Sequence, residues 1–550
     1  DGTWVICAKL VDSLANTSYG KSDFIIRDII APSFTSLSSF NAATDGYIND
    51  SEKLLVNALW SLSATGYTTE AYTAPANDSA GILACNAFGS YTLNAPPSPS
   101  HIGADGTYAS CVKLGDSAGN VIYGKSSQVI RNTASPTFTS MARANAAADG
   151  FINDSEKNSA LPMAVLVASN QTSTYFSAAL DDAGGALTCD STQTYSNIAI
   201  PSAVTLTNDG SYAICVELMD AAGNKTYGKS AQIVRDTAAA SFTSLSGRGD
   251  ALDGVINYAE HLGTTTLWSL TQTGATAIAY TLPLDDSAGA VSCNIAQSYS
   301  RSTIASATDL GSDLPWALCV ELTDAAGNIS YGKSSQVVRN ISGPSFGSLA
   351  LANAAIGGYI NNSEKLLTSS IWNLSASGQI STNYSTALSD TAGALVCDAG
   401  QSYGQTSIPT PADLSSDGAY ALCAKLTDTS GNITYGKSAQ VVRDVLAPSF
   451  TSLARDNEAV DGFINSTEQN SNLALYTLTA SSYASADYTP ALNDAASALT
   501  CDAAKTYSGS SIPLISSLTS DGVFAVCVAL TDAAGNTSYG KSAQVTRATS

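Results

Sequence analysis

Eleven cysteines fall into two series with one spacing. Cys7, Cys111, Cys215, Cys319, Cys423 and Cys527 form the first, and Cys85, Cys189, Cys293, Cys397 and Cys501 the second; every step in both is 104 residues. No insertion or deletion shifts that register, so the chain must be one supersecondary unit repeated in tandem. Its 550 residues exceed what one hydrophobic core can organise, which independently calls for several domains.

Five complete periods follow a stretch of 30 residues. The expected domains are a partial repeat at 1–30 and full repeats at 31–134, 135–238, 239–342, 343–446 and 447–550. Each boundary precedes a segment resembling Ala-Pro-Ser-Phe. Proline follows the first residue at Pro32, Pro136, Pro344 and Pro448, and only Ala240 departs. A proline there starts a strand without needing an amide partner and stiffens the junction, so the expected shape is an extended rod. Residues 1–30 read as the last two strands of a further repeat. The expectation is that Asp1 is not the native start and that the chain is a window on a longer array.

In the first full repeat SFTSL, LLVNALWSLSA, EAYTAP, GILAC, TYASCVKL and VIYGKSSQVIRN read as strands, separated by TDG, NDSAG, GADG and DSAGN turns. Helical periodicity never persists beyond a turn or two. About seven short strands in about 100 residues is the Ig-like pattern, so the expected fold is all-β, a tandem array of Ig-like β-sandwiches, with a barrel as the structural rival.

Lys and Arg number 24 against 46 Asp and Glu, a net charge of −22. Such a chain repels nucleic acid and anionic lipid, and suits cations as partners. No run of 18 apolar residues is present, so no helical membrane insertion is expected in this segment.

The phrases Asp1-Gly2-Thr3-Trp4, Asp220-Ala221-Ala222-Gly223-Asn224, Asp444-Val445-Leu446-Ala447-Pro448 and Ile48-Asn49-Asp50-Ser51-Glu52 occur in order and have counterparts in most repeats. In that order they resemble the bacterial Ig-like tandem repeats of large cell-surface adhesins, of the biofilm-associated and repeats-in-toxin type. The resemblance spans the whole chain. It implies an extracellular, bacterial cell-surface stalk, often rigidified by calcium, and it names no ligand.

Within each full repeat the two cysteines lie 26 apart: Cys85–Cys111, Cys189–Cys215, Cys293–Cys319, Cys397–Cys423 and Cys501–Cys527. One pair per repeat points to a disulfide in an oxidising compartment. Two buried thiols are the alternative; zinc lacks ligands, because the two histidines, His101 and His261, are not at equivalent positions. Tyr108, Val112 and Leu114 share one strand face and Cys111 lies on the other. A bond between neighbouring strands or near the surface is therefore expected, rather than a bridge through the core.

Asn41, Asp45, Gly46, Asn49 and Glu52 fall at positions 1, 5, 6, 9 and 12 of a calcium-loop spacing, but Ala43 stands at position 3 and no helix flanks it. A DG turn is the plain alternative. Strand direction raises the interest of this turn. It belongs at the C-terminal end of its domain, and the DAAGN turn at the N-terminal end of the next. Stacking would gather Asp45, Asn49, Glu52, Asn132, Asp220 and Asn224 at one junction, and Asp149, Asn153, Glu156, Asp236, Asp324 and Asn328 at the following one. Oxygen ligands of that kind suit calcium, the cofactor expected there. Direct hydrogen bonding between the turns is the competing picture. Gly357 and Ala548 replace expected aspartates, which should weaken their sites.

Each repeat carries Tyr-Gly-Lys-Ser, with Lys21, Lys125, Lys229, Lys333, Lys437 and Lys541. An acidic partner or an edge-strand position is expected for this lysine, rather than an isopeptide bond. Arg27, Arg131, Arg235, Arg339, Arg443 and Arg547 precede the linkers and are expected to hold junction carboxylates. The aromatic residue after each DG (Trp4, Tyr108, Tyr212, Trp316, Tyr420) is expected in the core, with a corner role for tyrosine. No histidine recurs and no nucleophile, zinc-protease or phosphate-loop motif is present, so no enzyme is expected. The reading is a non-enzymatic stalk whose partners are neighbouring repeats and an unknown surface ligand. The alternatives are a self-assembling filament, with other copies as partners, and a glycan- or protein-binding module.

Overall fold

The computed structural model describes Asp1–Ser550 as β-strands joined by turns and single 3-10 turns, without an α-helix. The chain divides into two compact units. One comprises Asp1–Phe242, Gln272–Ile278 and Leu322–Ser330; the other comprises Thr243–Thr271, Ala279–Glu321 and Tyr331–Ser550.

The first unit opens with two antiparallel pairs, β1 (Gly2–Trp4) with β4 (Ile25–Arg27) and β2 (Cys7–Val11) with β3 (Thr17–Lys21). The first full period then supplies β5 (Ser33–Ser39), β6 (Tyr47–Ile48), β7 (Trp60–Thr65), β8 (Thr69–Tyr72), β9 (Ala76–Asn77), β10 (Gly106–Ala109), β11 (Cys111–Gly115), β12 (Val121–Lys125) and β13 (Val129–Arg131). One sheet has the order β6-β13-β10-β9 and the other β12-β11-β8, while β5 and β7 form a pair packed against β12. Leu37, Ile48, Trp60, Tyr72, Val112, Leu114 and Val129 fill the space between the layers. This is a β-sandwich.

The core has three positional devices. Trp60 is wholly buried, and burial of so large a ring contributes about 5 kcal/mol of transfer free energy. Its Nε1 donates to the backbone oxygen of Ser127 at 2.9 Å, so the indole leaves no unpaired donor. The ring of Phe34 occupies the space beside Gly124, where a Cβ would come within 2.3 Å of it. The same clash recurs at Gly228 with Phe138, at Gly436 with Phe346 and at Gly540 with Phe450, which accounts for the glycine of Tyr-Gly-Lys-Ser. Tyr108 packs on the core while its hydroxyl donates back to Ala104 O at 2.9 Å, a tyrosine corner repeated by Tyr212 on Asn208 O and Tyr420 on Ser416 O.

Several expected strands are shaped otherwise. TYASCVKL and VIYGKSSQVIRN each break, at Ser110 and Ser126, where the chain passes from one sheet to the other. Hydroxyls replace ladder bonds at that break. Ser126 Oγ accepts from Ser110 N at 2.9 Å, and Thr73 Oγ1 accepts from Cys111 N at 3.0 Å. The first half of LLVNALWSLSA is not strand: Leu54 and Val56 are 77% and 81% exposed ahead of β7. GILAC is loop. It lacks a ladder partner and is held instead by the disulfide and by Lys125, so it drapes over the outward face of β11.

The second period repeats the plan with β14 (Thr137–Arg143), β15 (Phe151–Ile152), β16 (Ala164–Ser169), β17 (Ser173–Asp181), β18 (Gly210–Met219), β19 (Lys225–Lys229) and β20 (Ile233–Arg235). Here β18 runs unbroken through both layers, pairing with β17, β19 and β20. In the second unit, Tyr359–Ile360, Val441–Arg443, Gly418–Ala421 and Leu388–Ser389 form one sheet and Ser381–Tyr384, Cys423–Thr427 and Ile433–Lys437 the other; the last period repeats this order. Leu349, Ile360, Trp372, Leu422 and Val441 fill the core of the fourth period, and Leu453, Ile464, Tyr476, Val526 and Val545 that of the fifth.

Candidate functional site

The five predicted disulfides are present: Cys85–Cys111, Cys189–Cys215, Cys293–Cys319, Cys397–Cys423 and Cys501–Cys527, with Cα separations of 5.3 to 5.4 Å. In the first repeat the bond ties the loop after β9 to β11. Cys111 is buried although it faces away from the core, because that loop covers it. Lys125 holds the same loop from a second side. Its Nζ lies 2.8 Å from Asp78 Oδ2 and donates to Gly81 O at 3.0 Å, while Gln128 Nε2 donates to Asp78 O at 2.8 Å. The lysine thus has an acidic partner, and that partner is buried. The arginines before the linkers hold carboxylates of their own repeats, not of a neighbour. Arg131 pairs with Asp105 at 2.8 Å, Arg339 with Asp313 at 2.7 Å and Arg443 with Asp417 at 2.6 Å.

The site that joins one period to the next is built on the DAAGN turn. Asp220 Oδ1 accepts from Ala222 N and Asn224 N, both at 2.9 Å, which closes the turn around its own aspartate. Gly223 has φ +85°, the left-handed region that glycine enters without strain. The turn fixes the Asn224 carboxamide, and every one of its hydrogens is used. Nδ2 donates to Asp220 Oδ2 at 2.9 Å and to Asn132 O in the preceding linker at 2.8 Å. Oδ1 accepts from Asp50 N at 2.8 Å. One side chain therefore grips the backbone of the preceding repeat at two points.

The grip recurs with small variations. Asn328 donates to Asp236 O at 2.8 Å and accepts from Asp154 N at 2.7 Å. Asn432 donates to Asn340 O at 2.8 Å and accepts from Tyr258 N at 2.7 Å. Asn536 donates to Asp444 O at 2.7 Å and accepts from Asn362 N at 2.7 Å. Because both partners are backbone atoms, the residue after Ile-Asn is free to be Asp, Tyr or Asn. Asn224, Asn328, Asn432 and Asn536 are all buried, as are Asp220, Asp324, Asp428 and Asp532 beside them. Two such bonds contribute about 2 kcal/mol per junction.

The residues expected as calcium ligands divide into two groups. Asn132, Asp220 and Asn224 meet directly, and Asn132 Nδ2 donates to Asp220 Oδ2 at 2.9 Å. Asn328 Nδ2 joins Asp324 Oδ2, at 3.0 Å, to the backbone oxygen of Asp236, at 2.8 Å. The others serve their own turns. Asp45 Oδ1 accepts from Tyr47 N and Asp149 Oδ1 from Phe151 N, both at 2.9 Å. Glu52 Oε2 accepts from Asn49 N at 3.0 Å and Glu156 Oε2 from Asn153 N at 3.1 Å. Asn49 Oδ1 in turn accepts from Ser51 N at 2.9 Å, whereas Asn153 Nδ2 also crosses the junction to Ala326 O at 3.1 Å. No three His, Cys, Asp or Glu side chains converge on one point. At the Asn132 junction, Asp220 Oδ2 already takes two amide donors, so this donor set does not fit a cation as it stands. At the next junction Asp236 replaces Asn132; one donor is gone and a second carboxylate takes its place.

No family model and no curated protein matches the chain. Among solved structures it is similar to a Ca2+-stabilized adhesin with which an Antarctic bacterium reaches out and binds ice, at 18% identity and TM-score 0.33, covering 75% of this chain and 99% of that one. It is similar also to a tetra-tandem repeat from the extending region of a large adhesion protein, at 16% identity and TM-score 0.28, covering 75% and 99%. A third likeness is to Drosophila N-cadherin EC1-4, at 14% identity and TM-score 0.21, covering 74% and 98%. The sandwich is assigned from the chain's own strand pairing. No helix is long and apolar enough to cross a membrane.

Proposed function

We propose that this chain is a non-enzymatic structural segment of an extracellular protein on a bacterial surface, a stalk in which each 104-residue period is one Ig-like domain. The observation that carries the reading is the recurrent asparagine grip. The same side chain makes the same two backbone bonds at four successive junctions, which is what a spacer needs and what a catalytic site would not repeat. One disulfide per repeat supports a location outside the reducing cytosol. Protease shaving of intact cells of the source organism, followed by unreduced peptide mapping, tests this. Release of disulfide-linked peptides supports surface display. Protection of the chain until the cells are lysed contradicts it.

Calcium is a second reading, favoured by one observation: the linker position is Asp236 and Asp444 where two other junctions have Asn132 and Asn340. Those two junctions carry a second carboxylate in the linker, where Asp236 Oδ1 accepts from Ala238 N at 3.2 Å and Asp444 Oδ1 from Leu446 N at 3.1 Å. A divalent cation there would offset the paired carboxylates, whereas at the asparagine junctions the linker amide donates to Asp220 Oδ2 or to Ser430 Oγ.

A further inference from the structure

The strand β6 runs parallel to β13, with Tyr47 opposite Ile130 and Ile48 opposite Arg131. The ladder is bounded by two rungs: Ile130 N donates to Gly46 O at 2.9 Å, and Asn132 N donates to Ile48 O at 3.0 Å. In a parallel ladder the next rung would run from Asp50 N to Asn132 O. That rung is absent as a direct bond, and those two atoms are the ones Asn224 joins: Asp50 N donates to its Oδ1, and its Nδ2 donates to Asn132 O, both at 2.8 Å. The carboxamide of the following repeat stands in the ladder as a peptide group would. Asn328 does this between Asp154 N and Asp236 O, Asn432 between Tyr258 N and Asn340 O, and Asn536 between Asn362 N and Asp444 O.

We infer that each repeat bears tension through its β6–β13 type ladder, and that the repeat after it locks this ladder by supplying the terminal rung. The chain leaves a repeat at the end of β13, so tension draws β13 along its own axis. The rungs to β6 lie across that axis, so they are loaded together in shear instead of opening one at a time. Once the lock is held, β13 cannot slide without breaking the neighbour's two bonds as well. Resistance to unfolding is therefore passed from each repeat to the one before it. The Cys85–Cys111 bond lies off this path and keeps the residues it encloses from extending. The inference concerns mechanics alone and does not depend on where the protein is displayed.

Single-molecule pulling of the full chain tests it, with repeat 1 marked by Cys85→Ser/Cys111→Ser. The mark lengthens the unfolding step of repeat 1 alone, by the 26 residues no longer closed off, or roughly 90 Å. Adding Asn224→Ala to that background, a change made in repeat 2, should raise the unfolding rate of the long step roughly tenfold at a given force. Hydrogen exchange of the unmarked Asn224→Ala chain gives a second readout: the amides of Asp50, Ile130 and Asn132 should exchange roughly tenfold faster. An unchanged long step together with unchanged exchange at these three amides overturns the inference, whatever happens to repeat 2.

Discussion

Lys125 Nζ sits 2.8 Å from Asp78 Oδ2, and the carboxylate it meets is wholly buried. The hydrogen bond from Lys125 is the largest influence on Asp78 and, with Leu83 N and Gln128, outweighs burial and brings its carboxyl down to about 2. For Asp182, Asp286, Asp390 and Asp494 burial is the largest single influence and pushes upward. Their lysines, backbone amides and glutamines still leave them below the ordinary value. A depressed folded-state value means stability that is complete above the unfolded carboxyl's range near 4 and is lost as pH falls towards 2. The melting temperature should therefore hold from pH 7 to 5 and fall steeply between about 4 and 2, and Asp78→Asn should flatten the share of that fall owed to repeat 1. Thermal denaturation across that range checks it.

Gly124→Ala should destabilise repeat 1 by about 2 to 3 kcal/mol, since the new methyl would lie 2.3 Å from the Phe34 ring. Phe34→Leu in the same chain should recover part of the loss, because a smaller side chain makes room. Chemical denaturation of the two variants reads both effects.

Reduction should act locally before it acts globally. Each closed loop spans 26 residues, and losing the bond should cost about 3 kcal/mol per repeat. The loop between β9 and β10 loses its staple but keeps Lys125, so mild reductant should open residues 79–97 to proteolysis while the far-ultraviolet spectrum of the sandwich persists.

The calcium reading predicts an uneven response along the chain. Chelation should loosen the junctions at Asp236 and Asp444 and leave those at Asn132 and Asn340 unaltered. Asp236→Asn should make its junction indifferent to chelator. Small-angle scattering of these chains with and without calcium checks both statements.

Much of this was legible in the sequence because it repeats at one spacing. The cysteine series set the period and the pairs, and the alternation of Tyr108, Val112 and Leu114 placed Cys111 away from the core. What escaped were features that no periodicity marks. The two residues of β6 are too few to read as a strand, yet they carry the ladder. LLVNALWSLSA reads as one apolar strand, but the strand begins only at Trp60, and Leu54 and Val56 stand exposed before it. Arg131 lies near the linker in sequence, while the β10–β13 register aligns it with Gly106, beside its own Asp105. Strand direction points to the DAAGN turn, with Asp220 and Asn224, as facing the preceding repeat. The sequence does not distinguish an oxygen that awaits a cation from an amide that donates; only the geometry shows Asn224 using both of its polar atoms on backbone.

The central claim is that the asparagine grip holds successive repeats in a fixed relation. The most direct measurement is the distance distribution between nitroxides at Ser61→Cys in repeat 1 and Val165→Cys in repeat 2, in a Cys7→Ser chain kept in chelator. Both positions are exposed and one period apart. The grip predicts a single narrow distribution that broadens when Asn224→Ala is added. A distribution already broad before that change, or one that stays narrow after it, would contradict the claim.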